Sequence, residues 1–329
     1  MIFESTASDE YGFLMKTLAK FKGSETKKGL LILPETVGKG YIKSFDLGSI
    51  RMMIHQYELK KEITFKRAGV KTGKEVITFS FRNAFKEQHK IKKSLLPMEL
   101  TTSALPSVLL SSGDLDLEIF APAKTKINTI LITVHADLLK DLLHKKGENT
   151  LLQNIISGNQ PYLYDEIISP EIQKVAASIV EANVPEQLTD FYLKLKAEEM
   201  IYLFFVELTK RQNITSYSLN RSDVKTMYLI RNKLISDLSI PPNLSELVLF
   251  SNMSESKMNR IFKQIFGNSI YNYYQTLRMN EAAYLIKEER LSVSEVGYRL
   301  GFTNLSHFSR VFEKHMGLKP KKYSTVIKL

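Results

Sequence analysis

The last third of this chain writes one supersecondary unit twice. Residues 245–267, SELVLFSNMSESKMNRIFKQIFG, align with residues 294–317, SEVGYRLGFTNLSHFSRVFEKHMG, with one residue inserted at the turn. Ser245-Glu246-Leu247 matches Ser294-Glu295-Val296. Ser256 matches Ser306, Arg260 matches Arg310, Phe262 matches Phe312, Gly267 matches Gly317, and Tyr273 falls on Tyr323. A recurring unit has to bury its apolar face the same way each time, which leaves few folds open.

Each copy carries the same local signals. Asn243-x-x-Glu246 and Ser292-x-x-Glu295 read as capping boxes that start a short helix. Asn252 and Gly301 follow, and both residue types tolerate the positive φ of a tight turn. Met253 and Phe302 plug the corner. A second helix then runs to Phe266 or Met316 and stops at a glycine, the common residue after a helix end. Short helix, tight turn, longer helix is the helix-turn-helix pattern.

The faces of the second helices separate by period. Met258, Ile261, Phe262, Ile265 and Phe266 follow i, i+3, i+4, i+7, i+8, and Phe308, Val311, Phe312 and His315 repeat the pattern, so both sets are expected in the core. The opposite faces hold Ser256, Asn259, Arg260 and Lys263, then Ser306, Ser309 and Arg310. Lys257, Gln264, His307 and Lys314 are expected at the edges. Arg pairs with guanine and Asn with adenine, so these side chains suit base edges and phosphates. Glu313 is the exception and is expected outside the groove, near the helix C-terminus. Any single exposed helix face is polar. Two with equivalent residues point to a reading surface.

Charge points the same way. The net charge is +11. Residues 220–329 hold 17 Lys+Arg against 9 Asp+Glu, while residues 1–219 hold 29 against 26. A basic domain beside a near-neutral one suits a polyanion partner. Other classes lack their residues. With no cysteine there is no disulfide, thiolate nucleophile or Cys-based zinc site. The histidines (His55, His89, His135, His144, His307 and His315) form neither HxH nor HExxH. There is no GxSxG elbow and no GxxxxGK[ST] loop, so no enzyme, cofactor or metal is expected. His135, on an apolar strand, is expected in the core. The chain shows no run of 18 apolar residues and no basic-then-apolar leader, so neither a membrane partner nor export is expected and the location is read as cytoplasmic.

Residues 30 to about 135 read as a series of short strands divided by turn signals at Gly73, Asn83, Gly113 and Pro122. Helices follow from Ala136. One opens at Ser169-Pro170 and ends near Val184-Pro185. Another, of about seven turns, covers EQLTDFYLKLKAEEMIYLFFVELTKR, with an apolar stripe at Phe191, Leu195 and Tyr202 that could pack on the strands or on a second subunit. Arg51, Arg67 and Arg82 could meet an anionic effector or be solvated strand residues. QNITSYSLNR, residues 212–221, reads as a linker, and seven helices are expected after it. The expected division is therefore 1–211, 212–221 and 222–329. The fold class is an N-terminal α+β part, whose strand series fits a barrel or sandwich and is followed by helices, and a C-terminal all-α domain with two helix-turn-helix units joined by a linker helix.

That linker helix, SIYNYYQTLRMNEAAYLIK, would span roughly 28 Å. Adjacent major-groove half-sites lie about 34–36 Å apart, so one chain could read two successive grooves, with some bending of the DNA.

GFTNLSHFSRVFEKHMGLKPKKY (301–323), with its GF, S-x-F-x-R-x-F and G-x-x-P-x-x-Y, and LRMNEAAYLI (277–286) resemble the C-terminal domain of the AraC/XylS transcription regulators. The resemblance covers about 105 residues. It implies recognition helices at Ser254–Phe266 and Asn304–Met316. The DNA-facing residues it implies are Ser256, Lys257, Asn259, Arg260, Ser306, His307, Ser309 and Arg310, to which the face analysis adds Lys263. Val248 and Gly297 stand where the family often has Ala, and Gly297 is expected to loosen its helix. Ser324 stands where Arg is frequent. The resemblance implies a bacterial, sequence-specific regulator, an activator, whose N-terminal part is compatible with a cupin-like barrel plus a dimerising helical part. Its partners would be promoter or operator duplex DNA, RNA polymerase, a small-molecule effector and a second copy of the chain. The alternative reading is a non-catalytic barrel or carbohydrate-binding module with a non-specific nucleic-acid-binding domain.

Overall fold

The computed structural model describes residues 2–6, 19, 25–27, 29–68, 76–85, 100–101, 106–112, 115–143, 150–157, 161–211 and 219–325. Gly73, Gly113, His89, His144 and most of the expected linker, residues 212–218, lie outside them. The chain divides into two compact units: Met1–Glu87 with Glu99–Lys225, and Gln88–Met98 with Thr226–Leu329.

The first unit holds twelve described strands: β1 (Ile2–Thr6), β2 (Glu25–Lys27), β3 (Leu30–Ile32), β4 (Gly38–Asp46), β5 (Ile50–Leu59), β6 (Ile63–Ala68), β7 (Val76–Arg82), β8 (Leu100–Thr101), β9 (Ser107–Ser111), β10 (Leu117–Ala121), β11 (Lys126–His135) and β12 (Leu163–Ile167). They make two sheets, β1-β6-β10-β8 and β12-β9-β7-β11-β5-β4-β3-β2. The larger is antiparallel throughout. In the smaller, β1 pairs with β6 and β8 with β10 in parallel. β12 was not expected, because it follows two helices and is only five residues long.

Both faces of the large sheet are covered, and the alternation of β5 shows it. Ile50, Met52 and Ile54 enter one cluster with Phe79, Phe81, Ile130 and Ile132 and with the helices. Met53, Tyr57 and Leu59, on the other face, join Leu31, Ile42, Ile127 and, from the small sheet, Ile63 and Ala121. Strands buried on two faces lose the clean polar alternation of a half-exposed sheet, which explains their near-continuous apolar sequence.

The helices of this unit are α1 (Ala136–Leu142), α2 (Thr150–Ser157), α3 (Pro170–Val180) and α4 (Thr189–Thr209). Ser169 Oγ caps α3, accepting from the Ile172 N–H at 3.4 Å. α3 ends at Val180, four residues before the expected stop. α4 buries Leu193, Ala197, Met200, Ile201, Phe204, Phe205 and Leu208. The stripe picked out by sequence lies on its opposite side: Phe191 is 64% exposed, Leu195 48% and Tyr202 65%. That stripe is therefore not packed on the sheet. α4 is apolar on two sides, so its period could not show which side the core takes.

Three polar residues are also placed differently from expectation. His135 is exposed at the end of β11, where its Nδ1 accepts from the Asp137 N–H at the start of α1. Arg67 is 6% and Arg82 4% exposed, so neither is solvated. Arg67 donates to Ser111 Oγ and the Ser112 carbonyl at 2.9 Å, and Arg82 is paired with Asp165. Arg51 is exposed, 3.9 Å from Asp46.

His55, 5% exposed on the same face of β5 as Met53 and Tyr57, has no hydrogen-bond partner for Nε2 among the described residues. Burial drives its pKa down from 6.5 to about 4. Protonation then favours the unfolded chain. The His55 contribution is whole above pH 6.5 and is lost as pH falls from 6.5 toward 4, by about 3 kcal/mol in full. Protection factors at the β5 amides, corrected for intrinsic exchange at each pH, are expected to fall over that window. The His55→Leu variant should show a much shallower pH response, and an equal response would assign the loss to other groups.

The second unit and the helix leading into it comprise α5 (Arg221–Ser236), α6 (Leu244–Ser251), α7 (Glu255–Phe266), α8 (Ile270–Lys287), α9 (Val293–Arg299), α10 (Leu305–Met316) and α11 (Pro320–Thr325). These are seven helices of 6 to 18 residues. α5 begins at Arg221, the last residue of the expected linker. Asn220 Oδ1 caps it, accepting from the Asp223 N–H at 2.7 Å.

Candidate nucleic-acid interface

The repeat in the sequence is a repeat in space. Asn243 and Ser292 start the two short helices. Ser292 and Glu295 form a complete capping box, and those hydrogen bonds hold the Glu295 carboxyl below its usual pKa. Asn243 accepts from the Ser245 and Glu246 N–H groups, but Glu246 returns to the Asn243 side chain rather than its backbone, so this box is half made. The turns follow at Asn252, φ 52°, and Gly301, φ 77°. At Gly301 an added Cβ would lie 2.0 Å from the Ser239 carbonyl oxygen, so both space and φ require glycine.

The expected recognition helices are α7, capped by Ser254 through the Lys257 N–H, and α10, capped by Asn304 through the His307 N–H. Gly267 and Gly317 end them at φ 78° and 74°. The aromatic anchors also repeat. Phe262 meets Tyr273 edge-on at 5.4 Å, and Phe312 meets Tyr323 edge-on at 5.3 Å, both at 80°.

Each helix pair is also held by a buried arginine. Arg231 Nε donates to Tyr273 Oη at 2.8 Å and its guanidinium lies over Phe266. Arg278 Nε donates to the Leu300 carbonyl at 2.9 Å, and its guanidinium lies 3.7 Å from the Phe302 ring centre. Arg278 therefore ties α8 to the turn of the second unit. Gly297 has a packing role: a Cβ there would come within 2.6 Å of Leu305 Cδ2, so glycine lets α9 approach α10.

Most of the expected DNA-facing residues are exposed together. Ser256, Arg260 and Lys263 are exposed on α7, and Ser306, His307 and Arg310 on α10, with Lys257 and Ser309 half-buried. Arg310 makes no salt bridge among the described residues. Asn259 is half-buried, and its Oδ1 accepts from the Ile270 N–H at 3.4 Å, at the start of α8. Bidentate reading of adenine needs both amide atoms, and one of the two lone pairs of Asn259 Oδ1 is already engaged by α8.

Two edge and core expectations are corrected. Gln264 is 2% exposed, buried rather than at the edge. His315 is exposed rather than in the core, with its ring Nδ1 2.9 Å from the Val311 carbonyl. A cleft of about 390 Å³ runs along α10, lined by Leu305, Ser306, Ser309, Arg310, Glu313 and Lys319. Glu313 thus shares the face of Arg310. Lys319 was missed by sequence reasoning, because it lies past the helix-ending Gly317 and comes back to the face only through the chain reversal there. The run Lys319, Lys321, Lys322 was the available signal.

A helix-turn-helix domain family matches residues 250–325. The chain is 26% identical over 125 residues to the transcriptional activator RhaR of Cronobacter sakazakii, covering 38% of this chain and 44% of that protein. It is 24% identical over 213 residues to a helix-turn-helix transcriptional regulator of Haemophilus influenzae, covering 57% and 67%. Among solved structures, the C-terminal domain of the response regulator yesN from Fusobacterium nucleatum is 27% identical, covers 29% of this chain and 94% of its own, and has a TM-score of 0.27. The chain spans less than half the length of RhaR. Residues 250–325 of this chain therefore form a helix-turn-helix domain.

Proposed function

We propose that this protein is a sequence-specific transcription regulator that reads two successive major-groove segments with α7 and α10. The observation that carries this reading is the duplication itself: Ser256 and Arg260 on one recognition helix, Ser306 and Arg310 at the same places on the other, all exposed. Phosphate contacts from the basic domain supply most of the affinity and make it salt-dependent. Lys257, Asn259, Lys263, His307 and Ser309 complete the surface.

Residues 1–211 serve as the effector-sensing or dimerising domain, with 212–221 as linker and 222–329 as the DNA-binding domain. The two sheets of the first unit, which share one buried cluster, support a cupin-like barrel. The exposed Phe191, Leu195 and Tyr202 suit a second copy of the chain. Phe191→Glu with Tyr202→Glu is expected to convert a dimer to a monomer in sedimentation, and an unchanged mass would remove that role. RNA polymerase and a small-molecule effector are the remaining proposed partners, and a promoter target implies the cytoplasm.

In vitro selection from random duplexes at two salt concentrations tests the reading. A motif with two elements about one helical turn apart is expected, with affinity falling steeply at the higher salt. Tight binding with no enriched motif would reduce the domain to a non-specific binder.

A further inference from the structure

The two recognition helices agree at Ser256/Ser306 and Arg260/Arg310 and are opposite in charge at one place. With the offset of 50 that aligns those pairs, Lys263 falls on Glu313. Both are exposed. Glu313 lines the same cleft as Ser306, Ser309 and Arg310, one turn beyond Arg310, and makes no salt bridge among the described residues. Resting on the reading above, we propose that Glu313 is a specificity-determining residue. It accepts a hydrogen bond from the N4 amino group of a cytosine in the element read by α10, while Lys263 at the equivalent place in the first element takes guanine or a phosphate.

The chemistry narrows the choice. An ionised carboxylate only accepts hydrogen bonds and is repelled by phosphate. In the major groove the base donors are the N4 group of cytosine and the N6 group of adenine, and Glu or Asp is suited to cytosine. Ser309 and Arg310 precede Glu313 by four and three residues, an axial rise of about 4.5–6 Å. That is comparable to one or two base-pair steps of 3.4 Å. Arg310 on a guanine and Glu313 on a cytosine one or two steps away are therefore compatible with one helix lying in the groove. Lys319, on the wall of the same cleft, supplies a cation beside the carboxylate and offsets its repulsion from the backbone. The two elements of the operator are then unlike at one position, which orients the protein on DNA in one direction only.

The test is selection from random duplexes with the full-length chain in three forms: wild type, Glu313→Gln and Glu313→Lys. The position is exposed on the helix surface, so the variants are expected to fold, and melting curves would check this. Wild type should enrich cytosine at one position of the second element. Glu313→Gln should move that position toward adenine, and Glu313→Lys toward guanine, each with roughly a 5- to 100-fold change in preference there. The first element should be the same in all three. Identical motifs from all three proteins would overturn the proposal while leaving the double-groove reading intact. A general gain in affinity on all sequences with Glu313→Gln, and no shift in base preference, would also overturn it, because it would make Glu313 a repulsive rim charge. Absence of any motif in wild type would overturn both readings together.

Discussion

The Arg260→Ala/Arg310→Ala double variant is expected to lose roughly 10²- to 10⁴-fold in affinity for the selected operator while its melting temperature stays close to wild type. Each arginine is exposed and lies on a separate helix. One bidentate Arg–guanine contact contributes about 1–3 kcal/mol of discrimination, and two on separate elements add when they share no partner. The single variants locate the loss. If an arginine reads a base, its removal relaxes preference at one position of one element and leaves the salt dependence largely unchanged. If it holds a phosphate, affinity falls on every sequence alike and the salt slope drops by about one. Band-shift titrations on the operator and on a scrambled duplex, at two salt concentrations, separate these outcomes. Full affinity in the double variant would remove both residues from the interface.

The Arg82→Met variant is expected to destabilise the first unit by about 3–5 kcal/mol, because it removes the guanidinium paired with the buried Asp165 carboxylate. Asp165 is 2% exposed and Arg82 4%. The guanidinium also donates to Ser107 Oγ at 2.8 Å, so it links β7, β9 and β12 on one face of the sheet. Adding Asp165→Leu should restore much of the loss, since an apolar pair of similar volume removes the desolvation cost of both charges. Urea unfolding followed by far-UV circular dichroism checks this, as the chain has no tryptophan to report by fluorescence. A small loss in the single variant, or no recovery in the double, would mean that water reaches the pair. The pairing also occupies Arg82, one of the arginines that sequence alone left open as an anion ligand.

The helix-turn-helix part was legible nearly to the residue. Asn243 and Ser292 cap the short helices, and Gly267 and Gly317 end the longer ones, as local sequence indicated. Where reading failed in this part, a long-range contact decided. Gln264 is carried into the core although its type favours solvent. Lys319, past the helix-ending Gly317, is brought by the chain reversal there to the cleft that Arg310 and Glu313 line.

The first unit was legible only in outline. Strand-rich sequence followed by helices was evident, but not the pairing order that puts β12 beside β9 at the edge of the large sheet. Nor could sequence show that Arg67 and Arg82 turn inward: a charged residue in a strand sits on the face the register assigns it, and register is set by partners far along the chain.

The sequence by itself determined the duplicated unit, its caps and turns, and the polar and apolar faces of α7 and α10. Those depend on residues within a few positions of one another, through backbone hydrogen bonds and helical period. Only the tertiary structure decided which side of α4 is buried, which arginines are paired inside the sheets, and that Lys319 lines one cleft with Arg310 and Glu313. Each of those depends on burial against residues distant in sequence, and a pattern with a period of 2 or 3.6 carries no record of them.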